Sequence, residues 1–236
     1  MQRFSLTLLL LIMLPHIIVG QNMWQDAIHN IEYKGEMEAT CSDHSTPLWL
    51  NANKYGVSST QGNFGLLKLG IKHNTKSDSS RNWRIGYLAE VAVGYGLDRN
   101  IVIPTNLYAD IEYKKVRISA GIKERPAMMK NHLLSSGSLT FGTNAAPIPQ
   151  IRFEVPEYIS ITGRSNWAAI KGHFGYGWMT DGKWQENYVP TGARYAKKAT
   201  YHSKAGYLRV GNAEKFPLTF EGGLEMACQF GGDIYY

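Results

Sequence analysis

Residues 83–95, WRIGYLAEVAVGY, alternate between two kinds of side chain along their whole length. One set of alternate positions is apolar and has an aromatic residue at each end: Trp83, Ile85, Tyr87, Ala89, Val91, Val93 and Tyr95. The other set includes Arg84, Glu90 and several small residues. Because successive side chains of a β-strand point to opposite faces of a sheet, this stretch predicts a strand with one apolar face.

The same alternation recurs along the chain, in residues 67–72, 116–123, 151–155, 168–178 and 218–230. Turn-forming stretches such as residues 74–80, 96–100 and 180–182 separate these segments, and Lys114-Lys115 is predicted as a tight hairpin turn. The pattern predicts about nine or ten strands, several near the length of roughly 9 to 11 residues that a tilted membrane strand requires.

The sequence therefore predicts an all-β fold, an antiparallel transmembrane β-barrel. A soluble β-sandwich or barrel is the alternative, since its strands also alternate. Such strands usually have about five or six residues, fewer than the stretch 83–95. Aromatic residues at the ends of predicted strands, such as Trp83, Tyr95, Trp178 and Phe230, are typical of the interfacial girdles of a membrane barrel.

Residues 1–20 have the features of a secretory signal peptide: Arg3, an apolar block at residues 8–14, and Gly20 before polar residues. Pro15 and His16 interrupt the apolar block, which is too short to cross a bilayer as a helix. We predict cleavage near Gly20 and export to the cell outer membrane, with residues 21–236 as the barrel domain.

The formal net charge is +6 at pH 7, but the basic residues are scattered through the chain. Because an exported protein seldom meets nucleic acid, an anionic polysaccharide or a lipid head group is the more natural partner. Cys41 and Cys228 are the only cysteines. One disulfide is possible in an oxidising compartment, although the interpretation as two unpaired residues is favoured. The Cys and His spacing matches no zinc site, and we expect neither metal nor cofactor.

Residues 126–163 are less regular and contain Pro147, Pro149 and Pro156. Since proline cannot donate to a strand ladder, most of this stretch is predicted as a long loop or an inward-folded segment, with a strand at residues 150–155. Long loops in compact folds are often functional.

The spacing of the His, Ser and Glu residues along the sequence predicts no catalytic arrangement. His202 and Ser203 are adjacent, so on a strand their side chains point to opposite faces. Glu221 and Glu225 lie about 13 Å apart along one strand face, too far for a glycosidase pair. We therefore predict that the protein is not an enzyme. The alternatives are a barrel hydrolase acting on lipid or lipopolysaccharide, which requires a catalytic cluster assembled by the fold, and a general porin, which requires an open water-filled lumen.

Polysaccharide binding has a more suitable set of candidates, because basic side chains can bind acidic groups and hydroxyls. Eight residues on the less apolar strand faces would line a barrel lumen: Lys68, Lys72, Arg84, Arg117, Lys123, Arg152, Lys171 and His173. The alternative is that these charges pair with carboxylates of the same face: Glu90, Asp110, Glu112, Glu154 and Glu221.

Several short motifs resemble the Wzi-like capsule assembly family. They are, in order, residues 47–56 (PLWLNANKYG), 137–139 (GSL), 144–149 (NAAPIP), 155–158 (VPEY), 167–172 (WAAIKG) and 177–182 (GWMTDG). The resemblance implies an outer-membrane β-barrel of a Gram-negative bacterium that binds surface or capsular polysaccharide and takes part in capsule assembly, without catalytic chemistry. For Asn51, Lys54 and Tyr55, in the first motif, it does not separate a structural role from ligand contact.

Family chains are considerably longer, and the resemblance covers their amino-terminal half. A larger, even-numbered barrel is therefore expected, of which this sequence would supply a part. A smaller closed barrel and a barrel built from two chains are the alternatives.

Overall fold

The computed structural model describes residues 25, 28, 30–74, 82–97, 102–131, 134, 135, 137–180, 184–212 and 214–236. The predicted signal peptide lies outside the described residues, as do parts of the predicted turns at residues 74–80, 96–100 and 180–182.

The described residues are mainly β-strand. The strands are β1 (Glu32–Thr40), β2 (Phe64–His73), β3 (Trp83–Tyr95), β4 (Val102–Tyr113), β5 (Val116–Ile122), β6 (Gln150–Ser160), β7 (Ala168–Trp178), β8 (Tyr195–Lys197), β9 (Thr200–Val210), β10 (Phe220–Phe230) and β11 (Asp233–Tyr235). Two 3₁₀ helices (Leu48–Asn51 and Gly163–Ser165) and a short α-helix (Trp184–Tyr188) complete the elements. None of the described helices has the length and apolar character needed to cross a membrane.

Nine strands form one antiparallel sheet in the order β1-β2-β3-β4-β5-β6-β7-β9-β10. Strands β8 and β11 form a separate two-stranded sheet. The predicted antiparallel all-β fold is confirmed. The sheet is open, because among the described residues its edge strands β1 and β10 do not pair with each other.

Local sequence explains the regular and irregular parts of the sheet. The predicted tight turn is confirmed, since Tyr113 pairs with Val116 across Lys114-Lys115 and Lys114 has a φ of 55°. Strand β6 is longer than the predicted strand at residues 150–155. Its pairing with β7 is interrupted between Val155 and Ile159, where Pro156 is accommodated because no ladder donor is needed there.

The two faces of the sheet are opposite in character to those of a sheet packed on an apolar core. The inner face buries polar and charged side chains, among them Lys68, Glu90, Asn106, Asp110, Glu112, Ser119, Arg152 and Glu154. The outer face exposes large apolar side chains, among them Leu67, Leu69, Val91, Val93, Leu107, Ile111, Ile118, Ile151, Phe153, Ile170, Phe174 and Leu208. Alternation along the strands, interrupted at the register shifts of β4 and β6, separates these two sets.

Two connections fold across the inner face, and we call residues 46–59 and 123–149 the inner segments. Val57 packs with Phe64, Leu66 and Ala92 in a small apolar cluster that fixes the first segment to β2 and β3. The second segment is fixed at its start, where Arg125 Nη2 donates a hydrogen bond to Ser119 Oγ at 3.0 Å. The prediction of an inward-folded segment is therefore confirmed for the described residues between 126 and 149.

The inner segments also bind each other. The amide of Tyr55 donates to the carbonyl oxygen of Thr143 at 2.8 Å, and the amide of Asn53 donates to Asn144 Oδ1 at 2.7 Å. Gly56 has a φ of +77°, and a Cβ at this position would lie 2.8 Å from the amide nitrogen of Ala146. The contact therefore requires glycine both for its backbone conformation and for its lack of a side chain.

Candidate functional site

A cavity of about 220 Å³ lies between the inner segments and the inner face of β6, β7, β9 and β10. Its wall combines basic, aromatic and apolar side chains: Lys123, Arg125, Arg152 and His173; Tyr55, Phe141 and Tyr201; Ala145, Ala146, Pro147 and Ile148. The volume is below the roughly 300 to 1,000 Å³ of drug-sized ligand pockets, so the cavity suits one small unit, such as a single sugar residue.

The sheet side of the cavity is positioned by strand register. Arg152 of β6 lies opposite Gly175 of β7, which in turn lies opposite Ser203 of β9. His173 and Glu225 lie on the same face, separated by Ala205 of β9. These side chains meet because alternate positions of neighbouring strands share the inner face.

Arg125 is a basic residue of the cavity that makes no direct ion pair with any described residue. Its Nη2 donates to Ser119 Oγ at 3.0 Å and its Nη1 to the carbonyl oxygen of Lys123 at 3.2 Å. Its Nε is buried without a hydrogen-bond partner, and no carboxylate among the described residues lies within ion-pair distance. Burial, with the nearby positive charge of Arg152, lowers the pKa of Arg125 to about 10.

The positive charges of Lys123 and Arg152 are paired with carboxylates to different degrees. Lys123 Nζ forms an ion pair with Asp110 and lies 4.3 Å from the centre of the Tyr108 ring. Burial lowers the pKa of Lys123, and Asp110 opposes that shift. Arg152 Nε lies 3.0 Å from Glu154 Oε2, but it makes no hydrogen bond of acceptable geometry. Glu154 therefore balances the charge of Arg152.

The cavity also contains one carboxylate, Glu225. Its oxygens accept hydrogen bonds from Thr140 Oγ1 at 2.9 Å and from the hydroxyl of Tyr207. Because both oxygens are engaged, Glu225 ties the second inner segment to β10 and leaves the basic side chains as the open polar groups.

Of the eight predicted site residues, the structure brings Lys123, Arg152 and His173 together at the cavity. The others lie elsewhere on the inner face and are engaged: Lys68 with Glu36 (3.6 Å), Lys72 with Glu32 (3.7 Å), Arg84 with Glu112, Arg117 with Glu112 (2.7 Å), and Lys171 over the ring of Tyr158 (4.4 Å). Pairing with the same-face carboxylates named in the alternative above thus describes Arg84 and Arg117, and also Lys123 and Arg152 at the cavity.

Arg125 and Tyr201 were not predicted as site residues. Arg125 lies beyond the end of β5 in an irregular segment, where no strand pattern assigns it to a face. A signal exists nevertheless, because Arg125 continues the alternate positions of Arg117, Ser119 and Lys123.

The structure separates the side chains of the adjacent residues His202 and Ser203. His202 lies between the outer-face rings of Phe174 and Tyr176, and its Nδ1 is 3.0 Å from the carbonyl oxygen of Gly175. Ser203 is buried on the inner face. The prediction that these two side chains point to opposite faces is confirmed.

Within the described part of the chain, no group of three or more His, Cys, Asp or Glu side chains is arranged to hold a metal ion. Cys41 and Cys228 are both exposed and free.

No family model matches the chain, and comparisons with curated proteins and with solved structures find no match either. The resemblance to the Wzi-like family therefore stays a prediction, and the function is argued from the sheet and the cavity.

Proposed function

We propose that this chain is an outer-membrane protein whose nine-stranded sheet forms part of the wall of a transmembrane β-barrel. We also propose that it binds surface or capsular polysaccharide without turning it over. The observation that carries the membrane part is the inverted sheet, with charged side chains buried on the inner face and large apolar side chains exposed on the outer face.

Lipid accounts for both faces at once. Exposed apolar area is unfavourable in water by about 25 cal/mol per Å², whereas contact with acyl chains removes this penalty. Strands β3, β4, β6, β7, β9 and β10 have 11 to 13 residues, which is enough to cross a bilayer at a tilt. Outer-face aromatic rings lie at strand ends, as where Trp83 and Tyr113 meet at 4.6 Å.

The lengths of the connections support an orientation for the sheet in the proposed membrane. The three longest connections, 41–63, 123–149 and 179–199, leave one end of the sheet together with the short connection 96–101, whereas the connections 74–82, 114–115, 161–167 and 211–219 leave the other. Outer-membrane barrels have short periplasmic turns and long extracellular loops. In the proposed orientation, the inner segments and the cavity lie toward the cell exterior, where polysaccharide is present.

Two of the motifs that resemble the capsule assembly family meet beside the cavity. Residues 47–56 and 144–149 are joined by the contacts of Asn53 with Asn144 and of Gly56 with Ala146. Tyr55 of the first motif and Pro147 of the second line the cavity itself. This arrangement supports a binding role for the motifs, and the proposal includes a role of the protein in capsule assembly or attachment.

The test uses the full chain, purified in detergent micelles, and polysaccharide extracted from the surface of the cells that produce it. We expect immobilised protein to retain the polysaccharide, and the eluted polymer to keep its chain length on gel filtration. Failure to retain any surface polysaccharide overturns the binding role, and shortening of the polymer supports a hydrolase instead. High conductance in planar bilayers, without retention, supports a general porin.

A further inference from the structure

Arg125 makes no direct ion pair with the described residues of the cavity. Its side chain is half-buried, and no carboxylate of the described residues lies within ion-pair distance of it. The like charge of Arg152 disfavours its protonated form, whereas the more distant carboxylates of Glu154 and Asp110 act in the opposite direction. Two neighbouring guanidinium groups repel each other, and an anion bound beside them would reduce this repulsion.

The cavity combines basic and polar groups with a wall that suits a ring. Arg125, Arg152 and Gln150 line it. Free phosphate could bind the guanidinium groups, but the apolar and aromatic part of the wall, including Phe141 and Tyr201, calls for a ring-sized body as well.

We propose that the cavity binds an acidic sugar unit, with its carboxylate on the guanidinium groups of Arg125 and Arg152 and its ring against the aromatic wall. The inference rests on the proposed polysaccharide-binding function and names the unit that is recognised. Guanidinium groups suit this task because their planar fork of donors matches a carboxylate.

The test compares two sugars that differ only in the acidic group, D-glucuronate and D-glucose, in saturation-transfer NMR titrations of the full chain in detergent micelles. We expect glucuronate to bind at least about tenfold more tightly than glucose, since hydrogen bonds to a charged group are strong. Equal binding of the two sugars, or no binding of glucuronate, overturns the inference.

Arg125→Gln removes the charge and the fork, and we expect it to weaken glucuronate binding about tenfold or more. The matched control is Arg194→Gln, since Arg194 is exposed and lies over the ring of Tyr236, away from the cavity. Equal affinities of these two variants overturn the inference. If Arg125→Gln fails to fold, Arg125→Lys serves, because it keeps the charge without the fork and should bind with intermediate affinity.

Competition with inorganic phosphate distinguishes the two anion sources. Displacement of glucuronate by phosphate at comparable concentrations identifies a small-anion site and overturns the acidic-sugar assignment; weak displacement supports it. Retention of surface polysaccharide without a preference for glucuronate overturns this inference alone. Loss of polysaccharide retention by the unmodified chain overturns the proposed function instead.

Discussion

Glu112 is the carboxylate on which two basic side chains of the inner face converge. It pairs with Arg84 and with Arg117, whose Nη2 lies 2.7 Å from Glu112 Oε2, and it is buried. Removing one partner of a buried ion pair leaves uncompensated charge. We expect Glu112→Gln to lower the free energy of unfolding by about 3 to 5 kcal/mol, measured by urea titration in detergent micelles.

The matched control for this prediction is Glu36→Gln. Glu36 pairs with Lys68 at 3.6 Å, but its side chain is 43 % exposed. Solvent screens such a pair, so the same measurement should show a loss below about 1 kcal/mol. Similar small losses for both variants would mean that the charges of the inner face are solvated and not held as a network.

Glu124 gives a pH-dependent prediction. Burial raises the pKa of its carboxyl group above the ordinary 4.5, and Oε1 has no hydrogen-bond partner. The folded chain therefore holds this proton more tightly than the unfolded chain, so stability falls as the pH rises from 4.5 through the raised pKa. We expect Glu124→Gln to be more stable than the unmodified chain at neutral pH.

The stability difference between these two proteins should shrink as the pH falls and disappear below 4.5, where both side chains are neutral. Urea unfolding at a series of pH values measures it. A difference that is constant with pH would assign the effect to packing and not to the charge.

At the residue scale, the sequence predicted the face of a side chain better than its partners. Strand alternation placed Arg152 and His173 on one face, and the structure brings both to the cavity. It did not predict that Arg84 and Arg117 share Glu112, because the pairing depends on the register of the consecutive strands β3, β4 and β5, which alternation alone does not fix. Arg125 was missed because it lies beyond the end of β5, although it continues the alternate positions of that strand.

At the scale of elements, Gly56 joins the two inner segments. Its positive φ and its close approach to Ala146 leave no room for a side chain. We expect Gly56→Ala to separate the segments, to make residues 123–149 sensitive to protease, and to weaken saccharide binding, while the sheet remains folded. Limited proteolysis followed by mass spectrometry measures the first effect.

Gly65→Ala is the matched control, because a Cβ on Gly65 would have no atom within 4 Å. It should leave the proteolysis pattern unchanged. Equal resistance to protease in both variants would show that the inner segments are held to the sheet independently of each other.

The extent of the sheet was predictable, but its irregularities were not. The stretch 83–95 was predicted as a strand, and β3 has the same bounds. The pairing of β3 with β4 shifts register between Glu90 and Val91, so that both Thr105 and Asn106 turn inward and donate hydrogen bonds to Glu90 Oε1. Alternation in the sequence cannot locate such a bulge, because one extra residue changes the face of every residue that follows it in the strand.

For the whole molecule, strand parity limits how the proposed barrel is completed. All neighbouring pairs in the nine-stranded sheet are antiparallel, so β1 and β10 run in the same direction. An all-antiparallel barrel with this sheet in its wall therefore has an odd number of further strands between β10 and β1. Bacterial single-chain barrels have even strand numbers.

Cysteine cross-linking tests this arrangement in a background in which Cys41 and Cys228 are replaced by Ser. We expect no disulfide between Met37→Cys of β1 and either Leu224→Cys or Met226→Cys of β10 under oxidation, because further strands separate these edges. Met37→Cys with Leu67→Cys is the positive control, since these residues are direct partners in β1 and β2. Efficient cross-linking of β1 to β10 would establish direct closure by a parallel pair.

The central claim is that the outer face contacts lipid, and spin-label accessibility along β3 measures it most directly. Single cysteines at residues 85–93 in the cysteine-free background are labelled in lipid vesicles and tested against oxygen and a water-soluble nickel chelate. We expect the accessibility of the labels to alternate with a period of two residues. The labels accessible to oxygen and shielded from nickel should be those at Ile85, Tyr87, Ala89, Val91 and Val93. Uniform accessibility to nickel along β3 would contradict the claim.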